Sequence, residues 1–175
     1  MLLSIAGCDR QKAQAPQPAA VDQAGPKKGI DRTHKGEEAP DTVFKDPDGD
    51  TITLEEFQGA PVLVNLWASW CAPCIKELPT LDALAKTHRV DGALGVVAVS
   101  QDVGPQGSVK AFLASHKIAD LGAYQDADMG LSAKLDAQIL PTTVLYDKTG
   151  HEVWRYIGDL DWTSAQAKAL LAEAG

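Results

Sequence analysis

Two cysteines separated by two residues are the part of this 175-residue sequence best suited to covalent chemistry. They lie in Trp70-Cys71-Ala72-Pro73-Cys74, directly after a β-favouring apolar run and directly before a helical pattern. At a helix N-terminus, unpaired backbone N–H groups and the helix dipole favour a thiolate and lower the pKa of a cysteine from ~8.5 towards ~7. Two intervening residues bring the second sulfur within reach of the first. This placement predicts disulfide exchange, with one accessible nucleophilic thiol and one shielded resolving thiol.

Other uses of the pair can be weighed against the rest of the sequence. A structural zinc site needs four ligands. His88, His116 and His151 show no metal-ligand spacing, and His34 lies in the predicted tether. A structural disulfide that closes so short a loop would restrict the unfolded chain only slightly. Redox exchange is therefore favoured, and copper binding through two soft thiolates remains an alternative. We predict no metal site and no cofactor beyond the redox-active Cys71–Cys74 disulfide.

A strand and a helix must position these cysteines. Residues 62–68 form a nearly continuous β-favouring run, typical of a strand buried on both faces. From residue 72 to about residue 88, apolar side chains recur at helical spacing. Pro79 lies inside this helix and should kink it. The cysteines are thus expected at a strand-to-helix junction.

The remaining elements alternate between strands and helices. Strands are predicted at residues 51–54, 94–100, 121–124, 142–146 and 152–157, and helices at 109–114, 129–135 and after an N-cap at Asp161 or Thr163. Residues 147–150 are the turn between the last two strands. This order predicts an α/β fold in which helices flank both faces of a central mixed sheet.

Composition and charge exclude several classes of protein. The chain is 45% hydrophobic and 23% charged, which are globular values and exclude a collagen-like or wholly disordered chain. No window approaches the roughly 18 uninterrupted apolar residues of a membrane-spanning helix. The net charge is −8, and residues 40–175 alone carry −9. The folded part therefore lacks the basic surface that nucleic-acid binding requires.

The third cysteine, Cys8, stands apart from the pair. Ile5-Ala6-Gly7-Cys8 resembles the bacterial lipobox, in which the cysteine is lipidated and becomes the mature N-terminus. The apolar run before it is short and lacks a positive n-region, which indicates a start codon upstream of Met1. A free surface cysteine is the alternative. Residues 9–36 are poor in large apolar side chains and predict a flexible tether. We therefore divide the chain into a lipobox remnant (1–8), a tether (9–36) and a folded domain (37–175).

The folded part resembles the thioredoxin superfamily and, within it, the TlpA/ResA-like (CcmG-like) membrane-tethered thiol–disulfide oxidoreductases. Three motifs carry the resemblance: residues 62–74, Glu77-Leu78-Pro79 and Leu140-Pro141-Thr142-Thr143. The segment around residues 94–135 is similar to the central insertion of that family. The resemblance implies a thioredoxin fold with an N-terminal β extension and a central β-α insertion.

The resemblance also implies roles for the matched residues. Cys71 is expected to be the attacking thiolate and Cys74 the resolving thiol. Pro141 matches the family's cis-proline beside the disulfide; a cis X–Pro bond is uncommon and needs tight local structure. It would turn the backbone of Leu140 towards an incoming peptide, which could pair with it as an added strand. The expected substrate-binding residues are Trp70, Ala72, Pro73 and Leu140.

Glu77 matches the acidic residue that this family keeps near its active site. A carboxylate there would disfavour the thiolate and could relay protons during exchange, so Glu77 is counted among the catalytic residues. Asn65 stands where thioredoxin itself has a buried aspartate. Because Asn65 cannot titrate, proton handling would fall more heavily on Glu77. Trp67 and Trp70 are expected to pack around the site and to take no part in the chemistry.

Together these features imply an extracytoplasmic reductant of protein disulfides. The family suggests apocytochrome c or copper-assembly proteins as substrates and a membrane thiol-transporting protein of the DsbD/CcdA type as electron donor. The protein is expected to be a monomer, lipid-anchored through Cys8 on the periplasmic side of the bacterial inner membrane. Glu77 favours the reductant direction, because a less acidic attacking cysteine gives a more reducing couple.

Two other functions are weighed against this one. A peroxiredoxin-like peroxidase would share the fold and the insertion. Such enzymes place a hydroxyl residue three positions before the reactive cysteine and a proline four positions further back, where this chain has Ala68 and Val64. A copper-binding chaperone would use Cys71 and Cys74 as ligands, but the sequence offers no third ligand, and a cis-proline would crowd a metal.

Overall fold

A computed structural model describes residues 27–175, which form one eight-stranded mixed sheet with helices packed against it. Cys8 and residues 9–26 of the predicted tether lie outside the described residues. The strands are β1 (Gly29–Asp31), β2 (Phe44–Lys45), β3 (Thr51–Ile52), β4 (Val62–Trp67), β5 (Gly95–Ser100), β6 (Tyr124–Gln125), β7 (Thr142–Tyr146) and β8 (Glu152–Ile157). The α-helices are α1 (Ala72–Asp91), α2 (Gln106–Ser115), α3 (Gly130–Lys134) and α4 (Ala165–Leu171), and short 3-10 helices span Leu54–Phe57 and Ala172–Ala174. The strand order is β1-β8-β7-β4-β5-β6-β2-β3.

The strand β4 lies at the centre of the sheet and leads into the cysteine motif. All six of its residues are buried, and it pairs in parallel with β5 and antiparallel with β7. Successive side chains of a strand point to opposite faces. Leu63 and Trp67 accordingly pack with α1 in one core, while Val64 and Leu66 pack with α3 in the other. The predicted mixed sheet with helices on both faces is confirmed.

The final helix begins later than predicted. Ser164, and neither Asp161 nor Thr163, is its N-cap, because the Ser164 side chain accepts a hydrogen bond from the Ala167 N–H. The Asp161 carboxylate accepts bonds from the N–H and the hydroxyl of Thr163, at 2.9 and 2.6 Å. That interaction closes a local turn of the kind aspartate favours, so the helix starts only after it. The predicted N-cap was therefore wrong.

The predicted tether extends too far towards the C-terminus. The strand β1 pairs antiparallel with β8 and forms one edge of the sheet. Arg32 forms an ion pair with Glu173 at 2.6 Å, and the Gly36 N–H bonds to the Glu152 carbonyl. The prediction of a flexible tether is therefore wrong for residues 29–36. Three strand residues are too few for a periodic pattern, so no local pattern marks this strand. Among residues 27–175, no helix combines the length and apolar character needed to cross a membrane.

Candidate functional site

Cys71 and Cys74 are joined by a disulfide at the N-terminus of α1. The S–S distance is 2.11 Å and the Cα atoms lie 5.3 Å apart. Cys71 is the N-cap residue, and its sulfur accepts a hydrogen bond from the Cys74 N–H at 3.3 Å. Cys71 is 6% exposed, whereas Cys74 is fully buried. Of the two sulfurs, Cys71 is therefore the one a substrate can reach, and the helix N-terminus stabilises negative charge on it.

The backbone turns between β4 and α1 and leaves the residues beside Cys71 exposed. Ser69 anchors this turn: its N–H and its hydroxyl both bond to the carboxylate of Asp102, which follows β5. Trp70 is 69% exposed, and Ala72 and Pro73 are exposed as well. Pro73 lies in the first turn of α1, where no backbone N–H is needed within the helix. Three of the four predicted substrate-binding residues are thus exposed and lie within two positions of Cys71 in the chain.

The two tryptophans near the site differ. Trp67 is fully buried and packs against Phe112, with 5.5 Å between ring centroids. The packing role predicted for Trp67 is therefore confirmed. The same role is wrong for Trp70, because its ring is mostly open to solvent and is free to contact another molecule.

Pro141 lies at the same end of the sheet as the disulfide. The Leu140–Pro141 peptide bond is cis, as predicted. In the antiparallel pairing of β4 and β7, Leu66 faces Thr142, so Pro141 lies level with Trp67, at the end of β4 that leads to Cys71. Pro141 is buried, and its carbonyl accepts a hydrogen bond from the Gly158 N–H at 2.9 Å. Leu140, the fourth predicted substrate-binding residue, is half-buried beside it.

Glu77 is a buried carboxyl one helical turn after Cys74. Only 3% of the residue is exposed. Its Oε1 accepts a hydrogen bond from Asn65 Nδ2 at 2.7 Å. Its Oε2 accepts two, from the Leu160 N–H at 3.1 Å and from Trp162 Nε1 at 3.3 Å. The side chain therefore joins the disulfide-bearing helix to β4 and to the loop between β8 and α4.

Burial raises the pKa of Glu77 from 4.5 to about 7. The hydrogen bonds from Leu160, Asn65 and Trp162 oppose this rise because they stabilise the ionised carboxylate, whereas the nearby negative charge of Asp159 adds to it. Asp159 is itself paired with Lys76 at 3.0 Å. A carboxyl with a pKa near neutrality can take up and release a proton at physiological pH.

The structure adds partners that the sequence did not indicate. Asn65 is fully buried, and besides Glu77 it donates a hydrogen bond to Thr143 Oγ1 at 2.9 Å. Thr143, Leu160 and Trp162 lie 66 to 85 positions from Glu77 in the chain, so no local pattern could have found them. Sequence reasoning treated Asn65 only as a residue that cannot titrate, whereas it is the partner of the titrating group.

A metal site would need more ligands than the cysteine pair supplies. Within residues 27–175, no three or more His, Cys, Asp or Glu side chains are grouped so that they could hold a metal ion. The two sulfurs are bonded to each other, and the side chains around them are mostly apolar. The arrangement is suited to thiol chemistry: Cys71 is slightly exposed, Cys74 is fully buried, and a buried carboxyl with a raised pKa lies one turn away.

Comparison with known proteins extends these observations. The Redoxin family model matches residues 34–171. The chain is 32% identical over 124 residues to the thiol-disulfide oxidoreductase ResA of Bacillus cereus, which covers 71% of this chain and 70% of that protein. A solved DsbE-like structure from Chlorobium tepidum has a TM-score of 0.68 at 24% identity and covers 81% of this chain and 98% of its own. The exposed lipoprotein thioredoxin of Streptococcus pneumoniae strain TIGR4 has a TM-score of 0.63 at 26% identity and covers 75% and 98%.

Proposed function

Because the chain belongs to the Redoxin family and is a thiol–disulfide oxidoreductase with a thioredoxin-like fold, we propose that it reduces protein disulfides outside the cytoplasm through a Cys71/Cys74 dithiol–disulfide cycle. The fold and the enzyme class predicted from the sequence are confirmed. Protein dithiols and disulfides are the substrates that this class implies. The direction of electron flow, the cellular location and the roles of individual residues are parts of the proposal.

The cycle follows from the different accessibility of the two sulfurs. In the reduced protein, the Cys71 thiolate attacks a substrate disulfide, forms a mixed disulfide and releases one substrate thiolate. The Cys74 thiolate then attacks Cys71 Sγ and releases the second substrate thiolate. Two electrons have passed to the substrate, and the Cys71–Cys74 disulfide seen in the structure is the product. A dithiol donor must reduce this disulfide before the next cycle.

We assign Glu77 to proton exchange with Cys74. Residues three apart on a helix lie side by side, so Glu77 is on the same face of α1 as the cysteine that must lose a proton before it attacks. With a pKa of about 7, Glu77 can accept that proton. Its carboxylate also disfavours a thiolate nearby, which makes the couple more reducing.

Substrate contact is assigned to the surface around Cys71. Trp70, Ala72 and Pro73 are exposed next to it in the chain, and Leu140 is partly accessible beside Pro141. The large exposed ring of Trp70 is the natural anchor for an apolar side chain of the substrate, since aromatic residues dominate binding energy at protein interfaces.

The biological setting proposed here rests on the family resemblance and on the sequence around Cys8. Apocytochrome c or copper-assembly proteins are the proposed substrates, and a membrane protein of the DsbD/CcdA type is the proposed donor. We propose that the protein is a monomer held on the periplasmic side of the inner membrane by a lipid on Cys8. The lipoprotein thioredoxin of S. pneumoniae, named as such, supports a lipid anchor on a protein of this fold.

The observation that carries the proposal is the Cys71–Cys74 disulfide at the helix N-terminus, with only Cys71 accessible. A Cys74→Ser variant should retain substrates as mixed disulfides on Cys71, and mass spectrometry should identify their cysteines. Cys71→Ser is the matched control, because the buried Cys74 should trap far less. Trapping by Cys71→Ser at the level of Cys74→Ser would contradict the assignment of roles. Tight Cu(I) binding without trapped partners would favour a copper chaperone.

A further inference from the structure

The two oxygens of the Glu77 carboxyl have partners of different kinds. Oε2 accepts hydrogen bonds from the Leu160 N–H and the Trp162 indole N–H. A backbone amide and an indole can only donate, so Oε2 must act as an acceptor whether or not Glu77 is protonated. A proton taken up by the carboxyl therefore belongs on Oε1, which faces Asn65.

Asn65 can serve both protonation states of Oε1, because a side-chain amide has a donor end and an acceptor end. With Glu77 ionised, Asn65 Nδ2 donates to Glu77 Oε1 and to Thr143 Oγ1. Asn65 Oδ1 is then buried and has no hydrogen-bond partner within the described residues. This unused acceptor is the kind of partner that a protonated Glu77 Oε1 would require. Rotating the amide by about 180° would bring Oδ1 to the place where Nδ2 now lies.

In the rotated position, Asn65 Oδ1 would accept a hydrogen bond from a protonated Glu77 Oε1. Thr143 can follow this change, because its hydroxyl accepts in the first arrangement and can donate in the second. No backbone movement is needed, since all three residues lie on paired strands or on α1. Asn65 and Thr143 occupy facing positions on β4 and β7, so they are held together by the sheet itself.

We propose that Asn65 is a positioning residue for proton transfer: its amide rotates as Glu77 gains or loses its proton, and the Thr143 hydroxyl reverses with it. This inference rests on the proposed role of Glu77 in thiol exchange and specifies which oxygen carries the proton. Asn65, which cannot itself titrate, thereby has a role in proton transfer.

The other polar side chains around Glu77 bond to groups other than its Oε1. From the loop after β8, Asp159 faces Glu77 and is ion-paired with Lys76, the neighbour of Glu77 on α1. Thr80, one turn further along α1, donates to the Glu77 backbone carbonyl and accepts from the Trp162 N–H. From β4, only the amide of Asn65 reaches Oε1 among the described residues.

The direct test is NMR of the oxidised protein, which requires no substrate and no turnover. The Glu77 carboxyl carbon and the Asn65 side-chain amide protons should titrate with the same midpoint, because the amide protons lose their acceptors when Glu77 is protonated. In Glu77→Gln, the new amide donates to Asn65 Oδ1 permanently, so the Asn65 protons should show no titration. Asn65 amide signals that stay constant between pH 5 and pH 9, while Glu77 titrates, would overturn the proposal.

A variant gives an independent measure. In Asn65→Asp, the new side chain can accept from protonated Glu77 but cannot donate to the ionised form. Loss of the donor and the added like charge should together raise the upper midpoint of the coupled carboxyl pair above that of Glu77 in the wild type by at least about one to two pH units. Thr143→Ser keeps the hydroxyl and should leave the midpoint within a few tenths of a unit. An unchanged midpoint in Asn65→Asp would count against the proposal. Since these readouts do not involve disulfide exchange, they are separable from the outcome of the Cys74→Ser trapping.

Discussion

The backbone N–H of Leu160 donates a hydrogen bond to Glu77 Oε2 at 3.1 Å, and this bond joins the loop after β8 to the helix that carries the disulfide. The carboxyl that accepts it is buried and has a pKa raised to about 7. Proton uptake by Glu77 is thus linked to folding and, in the proposed cycle, to thiol chemistry. Several measurable consequences follow from this link.

The first consequence concerns stability and pH. The unfolded chain ionises Glu77 near its ordinary pKa of 4.5, whereas the folded protein holds the proton up to about pH 7. Between these values the folded state binds more protons, so the free energy of unfolding should fall as pH rises. At 1.36 kcal/mol per unit, the loss approaches about 3 kcal/mol. Urea denaturation of wild type and Glu77→Gln at pH 4.5, 6 and 8 measures it.

Glu77→Gln is the variant whose stability is compared with that of wild type in that experiment. Glu77→Gln should lack the decline, so its stability relative to wild type should improve steadily from pH 4.5 to pH 8. Glu55→Gln, which removes an exposed carboxylate, should keep the decline of the wild type. Parallel stability curves for wild type and Glu77→Gln would show that Glu77 does not titrate in this range.

A second consequence concerns the reactivity of Cys71. Above pH 7, Glu77 is ionised and its negative charge disfavours a thiolate close by. In Glu77→Gln, the midpoint for alkylation of reduced Cys71 by iodoacetamide should move to lower pH by about one unit. A more acidic Cys71 stabilises the reduced form, so the couple should also become more oxidising. Glu55→Gln again serves as control, and an unchanged alkylation profile in Glu77→Gln would argue against electrostatic coupling.

The turn before Cys71 depends on Asp102. Its carboxylate accepts bonds from the Ser69 N–H, the Ser69 hydroxyl and the Ser100 hydroxyl. Asp102→Ala would leave these partly buried donors without a partner, at an expected cost of about 1–3 kcal/mol in the free energy of unfolding. Asp128→Ala, at an exposed position further along the chain, should change stability by less than about 0.5 kcal/mol. Equal effects of the two substitutions would show that Asp102 does not hold the turn.

Trp70 offers a test of the substrate-binding surface. Because its ring is mostly exposed, Trp70→Ala should leave stability within about 0.5 kcal/mol of wild type. If the ring anchors substrate proteins, KM for a protein disulfide should rise by roughly 5- to 30-fold with kcat little changed. Val90→Ala, at an even more exposed apolar residue on α1, is the matched control. A KM for Trp70→Ala equal to that of the control would remove Trp70 from the binding surface.

Much of the fold could be predicted from local pattern because its central elements have strong signals. Local pattern predicts β4 from its β-favouring run, α1 from its helical spacing, and the β7–β8 hairpin from the turn between its strands. The spacing of the cysteine pair likewise predicts its chemistry, whereas the cis bond before Pro141 follows from the resemblance to the thioredoxin superfamily. By contrast, β1 has three residues and is held by its pairing with β8, so nothing local marks it.

The environment of Glu77 lay beyond sequence reasoning for a related reason. Its position suggested a carboxyl near the thiols, but its pKa depends on burial and on donors that approach from distant segments. Leu160 and Trp162 are 83 and 85 residues away in the chain. The pairing of Asn65 with Thr143 across β4 and β7 likewise required the register of the sheet. Such contacts depend on tertiary packing and produce no periodic pattern in the sequence.

The reduction potential of the Cys71–Cys74 couple decides whether the protein reduces or oxidises its substrates. Equilibration with a glutathione or thioredoxin redox buffer at pH 7, followed by quantification of free thiols, gives the value. If the protein is a reductant, the potential should lie near that of thioredoxin, about −270 mV. A value near that of the strong periplasmic oxidant DsbA, about −120 mV, would show that the protein is not a reductant, because electrons would then flow from substrate thiols to it.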